Sequence, residues 1–327
     1  MLRLSNPLTW QRMLLGLACL ALSIAVFAPP IALNRSVFDL MVAVDITQSM
    51  NVRDYHLEGE AVSRLTFVKH GLREALFELP CGSKMGLAIF TEYRTLVLLT
   101  PVEVCRNQAE LTDALEGLNG QMAWAGDSEI AKGLFSGIHT VRDLGDRVAL
   151  VFITDGHEAP PVNLRYRPIF DGHRAEVRGI IVGAGGLTPR PIPKVGPDGK
   201  EHGFWRADEV LQKDLYALGR SGSVANEQMT ESQPVLPSQT TTSTGREHLS
   251  ALHEAYLKQL AAETGLAYRR LTDVPSMIAA LGDRTLAHPA IVQTDLRWVA
   301  GGIGLLASVA ANIPFRWSRK RKSDLGK

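Results

Sequence analysis

The chain has 327 residues, a formal net charge of +1 and 45% hydrophobic residues, enough for one or two globular domains with cores of their own. This composition excludes bulk disorder, and the balanced charge supplies no basic surplus for gripping nucleic-acid phosphate. Any partner has to be argued from a site, and no nucleic acid is expected.

At the front, residues 1–12 carry Arg3 and Arg12, and the next 21 residues, Met13 to Leu33, carry no charge. That length crosses a hydrocarbon core of about 30 Å as a helix. A cleaved signal peptide is the alternative, but Pro29 and Pro30 follow Ala28 directly and no clean A-x-A-like site appears, which favours an uncleaved anchor.

Between the ends, apolar strands alternate with amphipathic segments. Val37 to Val44 reads as a strand buried on both faces. A helix is expected over Ala61 to Leu79, then two short strands, Met85 to Phe90 and Thr95 to Thr100, close enough to pair as a hairpin. Helices follow over Gln108 to Leu118 and Ser128 to Val141, then the strand "RVALVFIT", a helical region to about Val177 and the strand "GIIVGAG". "LSALHEAYLKQLAAETG" reads as a helix and "LAYRRL" as a last strand. This order predicts an α/β fold, a doubly wound, mostly parallel sheet with one antiparallel edge strand, flanked by two transmembrane helices. Residues 187–246 interrupt the pattern as an insertion, and its run "SQPVLPSQTTTSTGRE" is too polar to form a packed core.

Near the end, Trp298 to Phe315 is an uncharged span followed by a basic tail, residues 316–327. A buried Gly/Ala-rich helix is the alternative to a second anchor. Positive charge at both ends favours cytoplasmic termini, which leaves residues 34–296 outside the membrane, in a periplasm if the membrane is a bacterial inner membrane. Cys81 and Cys105 are the two cysteines of this outer part. They precede one strand of the expected hairpin and follow the other, so antiparallel pairing brings them together, and an oxidising compartment favours a disulfide.

Asp45 sits where the first strand stops, with Thr47 and Ser49 spaced behind it. In such sheets ligands bind beyond the carboxyl ends of the strands. Asp155 in "VFITDGHE" ends another buried strand, and Ser128 in "AGDSEI" opens a helix after a loop. Two carboxylates and three hydroxyls form a hard oxygen set suited to Mg²⁺, Mn²⁺ or Ca²⁺ rather than zinc. The plain structural alternative is that Ser128 caps its helix, Asp155 and Gly156 make a turn, and Thr47 and Ser49 satisfy loop amides.

Asp45-x-Thr47-x-Ser49, the later Ser128 and the strand-terminal Thr154-Asp155-Gly156 together resemble the metal-ion-dependent adhesion site of von Willebrand factor A domains, over roughly Phe38 to Leu271. "DITQSM" resembles the bacterial membrane-anchored Bat-type branch, and "SMNVRDY" is similar to methanol-oxidation (Mxa-type) accessory members. Family members commonly have threonine where this chain has Ser128. The resemblance implies metal ligands Asp45, Thr47, Ser49, Ser128 and Asp155, with Gln48, Met50, His157 and Glu158 at the rim. It also implies a partner that supplies an acidic side chain to the metal, work in assembling or maturing another complex such as an exported dehydrogenase, and a link to a MoxR-type AAA+ ATPase.

"GDSE" at Gly126 to Glu129 contains a Gly-Asp-Ser signature of some esterases. A nucleophilic serine needs a histidine base oriented by an acid, and no Asp-x-x-His pair appears near the end of the outer domain, nor any Gly-x-Ser-x-Gly, His-Glu-x-x-His or Gly-x-x-x-x-Gly-Lys-[Ser/Thr] motif. The expectation is a non-enzymatic, membrane-tethered, metal-dependent protein-binding module. A structural scaffold with a vestigial site is the alternative.

Overall fold

The computed structural model describes residues 7–162, 167–210 and 246–313. The basic tail and most of the insertion, including nearly all of its polar run, lie outside the described residues. The chain divides into two compact units, residues 36–290 and the two ends, 1–35 with 291–327.

In order, the elements are α1 (Pro7–Phe27), β1 (Ile31–Asp45), β2 (Tyr55–Leu57), β3 (Glu60–Val62), α2 (Arg64–Glu78), β4 (Lys84–Thr91), β5 (Arg94–Glu103), α3 (Gln108–Gly117), α4 (Ile130–Leu144) and β6 (Val148–Thr154). There follow β7 (Gly179–Ala184), β8 (Arg190–Pro191), β9 (Pro193–Val195), β10 (Glu201–Phe204), β11 (Leu249–Ser250), α5 (Glu254–Thr264), β12 (Ala267–Leu271), α6 (Val274–Leu281), β13 (Ala287–Thr294) and α7 (Arg297–Asn312).

The main sheet runs β12-β7-β6-β1-β4-β5, and β13 also pairs with β1. The pairs β12–β7, β7–β6, β6–β1 and β1–β4 are parallel, while β5 turns back antiparallel along β4 as the edge strand. β1 is central because its residues 37–45 are buried on both faces. Leu40, Val42 and Val44 pack with Val68, Leu72, Leu111 and Met277 from α2, α3 and α6. The alternate residues Met41 and Ala43 share the opposite core with Phe90, Leu134, Ile138, Leu257 and Leu260, from β4, α4 and α5. Period-two alternation along one strand thus feeds two helix layers.

Several expectations need correction. No helix forms in the described residues between Asp155 and Val177, where Pro160, Pro161 and Pro168 remove amide donors and obstruct helical geometry. α6 and β13 were not expected. α4 begins at Ile130, so Ser128 precedes it rather than opening it.

In the unit formed by the chain ends, the helix expected over residues 13–33 is α1 at Pro7–Phe27, and residues 31–33 already belong to β1. Pro29 and Pro30 separate the two. Among the described residues α1 alone has the length and apolarity to cross a bilayer. The span expected over residues 298–315 is the 16-residue α7, about 24 Å long. α1 and α7 meet through small residues: Ala18, Ala21, Gly304, Ala307 and Ala311 are buried, and a Cβ on Gly304 would lie 3.0 Å from Leu22 Cγ. Leu15, Leu20, Ile24, Leu305 and Leu306 face outward.

Candidate metal centre

Parallel strands β1 and β6 end side by side, with Val44 in register with Ile153, which sets Asp45 and Asp155 at the carboxyl edge of the sheet. Both are wholly buried. After β1 the chain makes a single 3₁₀ turn at Gln48–Asn51, with Thr47 before it and Ser49 within it. Asp45 Oδ1 accepts from Thr47 N at 2.9 Å and Thr47 Oγ1 at 2.7 Å, and Oδ2 accepts from Thr154 Oγ1 at 2.6 Å. Thr47 Oγ1 and Ser49 Oγ are 3.3 Å apart. Asp155 Oδ1 accepts from His157 N at 2.9 Å, while Oδ2 takes Arg64 Nη1 at 2.5 Å and Ser250 Oγ at 2.9 Å. Arg64 Nη1 also reaches Ser49 O at 3.4 Å and so bridges the first loop to Asp155. Asp45, Thr47 and Ser49 are therefore linked directly, and Asp155 is joined to them through Arg64.

Ser128 arrives by a different route. Its backbone exchanges hydrogen bonds with Ala159, 2.7 Å from Ser128 N to Ala159 O and 2.8 Å in return, which fixes it to the loop that leaves Asp155. Glu92 N donates to Asp127 O and Glu129 N to Glu92 O, tying the same segment to the end of β4. The Ser128 side chain is buried and its Oγ has no hydrogen-bond partner. A capping role would have given it one, and Glu158 takes that task instead by accepting from Ala131 N at 3.2 Å.

The electrostatics are uneven. Burial, and then the charge of Asp155, push the Asp45 carboxyl up to about 7, against the opposing hydrogen bonds of Thr154 and Thr47. For Asp155 burial alone would act the same way, but the Arg64 guanidinium, helped by His157 and its amide, holds the carboxyl below the usual carboxylate range. Two buried carboxylates in one site, one of them opposed in ionising by burial and then by the other's charge, suit a divalent cation. The oxygen-only donor set and the orphaned Ser128 hydroxyl fit a hard ion of the Mg²⁺ or Mn²⁺ kind.

The expected rim is different in detail. Met50 and His157 are buried rather than exposed. Gln48 turns away from the carboxylates to the β9 backbone, where its amide meets Val195 N and O at 3.4 and 3.5 Å. It borders a groove of about 870 Å³ that also includes Asn51, Lys69, Asn119 and Gln121. Cys81 and Cys105 are joined in a disulfide with Cα atoms 5.3 Å apart. Glu103 lies beside them, but oxidised sulfurs supply no thiolate ligand, so the three do not make a second metal centre. Sequence reasoning missed Arg64 and Ser250, which touch Asp155, and the bond to Asp45 made by Thr154, a residue of the quoted motif.

Residues 40–157 match the family model described as the von Willebrand factor type A domain, a stretch that contains all five expected ligands. Among solved structures, an aerotolerance-related membrane protein of Bacteroides fragilis is similar at 18% identity and a TM-score of 0.46, over 76% of this chain and 98% of that one. BatB of Bacteroides thetaiotaomicron is similar at 16% identity and 0.46, over 76% and 96%. Manganese-loaded TRAP protein of Plasmodium vivax is similar at 12% and 0.36, over 80% of each chain. Likenesses of this degree decide nothing about the ligands of this chain. No curated protein matches it.

Proposed function

We propose that this protein is a membrane-tethered, metal-dependent protein-binding module whose divalent ion, Mg²⁺ in the first instance, is held by Asp45, Thr47, Ser49, Ser128 and Asp155. The observation that carries the reading is the pair of wholly buried aspartates at adjacent strand ends, with Asp45 pushed up to about 7 by burial and by its neighbour. A bound divalent ion would supply an electrophilic centre for an acidic side chain of a partner protein. Thr47 and Thr154 orient Asp45 through three hydrogen bonds, and the backbone clasp between Ser128 and Ala159 keeps that hydroxyl in the same loop cluster. The groove beside Gln48 offers a surface on which chain flanking the partner's acid would rest.

The α1 and α7 pair supports tethering, since apolar side chains face outward and small ones face the partner helix, the arrangement suited to lipid. The finer assignment is to the Bat-type or Mxa-type branch of bacterial inner-membrane proteins, with the main domain periplasmic and both termini cytoplasmic. In it the module is non-catalytic and assists assembly or maturation of another complex such as an exported dehydrogenase, in a pathway with a MoxR-type AAA+ ATPase. Ser128 lacks a hydrogen-bonded histidine base, which favours a binding role for it over a nucleophilic one.

One observation favours a second reading. Asp155 is already neutralised by Arg64, as in a scaffold whose metal site is vestigial. A pull-down from native membranes distinguishes them, using wild type and Asp45→Ala, each with Mg²⁺ and with EDTA. Partner recovery from wild type in Mg²⁺ alone supports the metal-dependent module, and equal recovery in all four samples supports the scaffold.

A further inference from the structure

Arg64 is the first residue of α2, where a helix normally presents its side chains to solvent, yet it is the largest wholly buried side chain among the described residues. All of its nitrogens are engaged. Nε donates to both oxygens of Asp54 at 3.1 and 3.0 Å, and Nη2 to Asp54 Oδ2 at 2.7 Å and Ser250 O at 3.3 Å. Nη1 reaches Asp155 Oδ2 at 2.5 Å, Ser250 Oγ at 2.7 Å and Ser49 O at 3.4 Å. The neighbouring backbone is shaped to admit it: Gly185 has φ +131, and a Cβ there would stand 2.8 Å from Arg64 Nε. Asp54 occupies the Nε–Nη2 edge and also accepts from Gly186 N at 2.8 Å, leaving the Nη1 tip to the metal centre.

We infer that Arg64 is a positioning residue that tunes the metal centre: it keeps one oxygen of Asp155 committed to the protein and offsets its charge, so that a divalent ion is held loosely and is left short of anionic ligands. This rests on the metal-binding reading above and adds the device that makes a partner's carboxylate the missing anion. The geometry supports it because one guanidinium grips two of the three segments that carry the site, through Ser49 O and Asp155 Oδ2. A cation fixed beside a ligand carboxylate opposes a second cation there, and in buried surroundings that opposition is only weakly screened. The same guanidinium holds Asp155 through Nη1 while its Nε–Nη2 edge is anchored on Asp54, a three-way arrangement that a lysine ammonium does not reproduce.

A purely structural arginine and a tuning arginine predict different responses to substitution. For Arg64→Gln, calorimetric titration of the full chain in detergent should find Mg²⁺ or Mn²⁺ bound about tenfold more tightly or better, while the metal-free melting temperature falls. Arg64→Lys keeps the charge and loses the fork, so its metal-free melting temperature should fall while its metal affinity stays within about threefold of wild type. Should Arg64→Gln not fold, the same titration is made with Asp54→Asn/Arg64→Gln, which removes the ion pair as a unit and is expected to tighten binding in the same direction. Affinity that is unchanged or weaker in the folded glutamine variant, or equally tightened in Arg64→Lys, overturns the inference while leaving the metal-binding reading standing. Wild type that binds neither ion overturns both.

Discussion

Thr154 Oγ1 donates to Asp45 Oδ2 at 2.6 Å, joining the last residue of β6 to the last residue of its neighbour β1. The same hydroxyl accepts from Gly156 N at 3.0 Å. One side chain therefore stabilises the charged form of the first aspartate and shapes the turn that carries the second. Thr154→Val preserves the shape and removes both bonds. It is expected to cost about 1–3 kcal/mol through the unpaired buried amide, and to raise the Asp45 pKa further. Metal affinity should fall more at pH 6.5 than at pH 8.5, as read by calorimetry at the two pH values.

The pH dependence has a definite sign. Asp45 has an ordinary carboxyl pKa near 3.8 and a folded one of about 7, so metal-free folded protein holds this proton more firmly than unfolded chain. Its contribution to stability is full below the unfolded value and is lost as pH rises through about 7. Metal binding requires the carboxylate and expels the proton. The rise in melting temperature on adding Mg²⁺ should therefore grow with pH up to about 7 and level off above it. A rise that shrinks over that interval would contradict the assignment of Asp45 as a ligand.

The Cys81–Cys105 disulfide closes a separation of 24 residues that contains β4 and the whole edge strand β5. Loop closure of this size is worth about 3 kcal/mol. Replacing both cysteines by serine should lower the melting temperature by several degrees and leave metal affinity unchanged. Non-reducing peptide mapping of protein from its native membrane should recover the bridged pair. Two free thiols would contradict placement of this domain in an oxidising compartment.

Gly133 lies on α4 where it crosses Phe90 of β4, and a Cβ there would fall 2.0 Å from the ring. Both residues are in the core beneath the segment that delivers Ser128. Gly133→Ala is expected to force the helix off the sheet, at a cost of about 1–3 kcal/mol or more. Metal affinity should fall with it, whereas Gly117→Ala, where a Cβ meets nothing, should behave like wild type in thermal unfolding.

Much of this architecture was legible because burial patterns are local. The double-sided apolar run of β1, the hairpin of β4 and β5 and the helical spacing in α2 and α4 are written in consecutive residues. The cysteine pairing followed from the hairpin. Asp45, Thr47, Ser49 and Asp155 could be picked out as polar residues at strand ends, but Arg64 could not. An arginine at the start of a helix looks solvated, and its partners Asp54, Asp155 and Ser250 lie up to 186 positions away. Thr154 is visible as part of the strand-terminal motif, but its bond to Asp45 across 109 positions is not. The helix expected up to about Val177 does not form in the described residues after Asp155, because Pro160, Pro161 and Pro168 oppose it. The second expected span extends to Phe315, whereas α7 is described as far as Asn312 and residues 314–315 lie outside the described residues.

The central claim is that Asp45 and its neighbours hold a divalent ion. Mn²⁺ binding to the full chain in detergent, followed by electron paramagnetic resonance, tests it most directly when wild type is set beside Asp45→Asn. The asparagine keeps the side-chain shape and removes one of two mutually repelling buried charges, so the metal-free variant should melt at or above the wild-type temperature at pH 8. The account predicts a single bound ion in wild type, displaced by excess Mg²⁺, and none in the variant. Wild type that leaves Mn²⁺ free, or a variant that binds it equally well, would contradict the account.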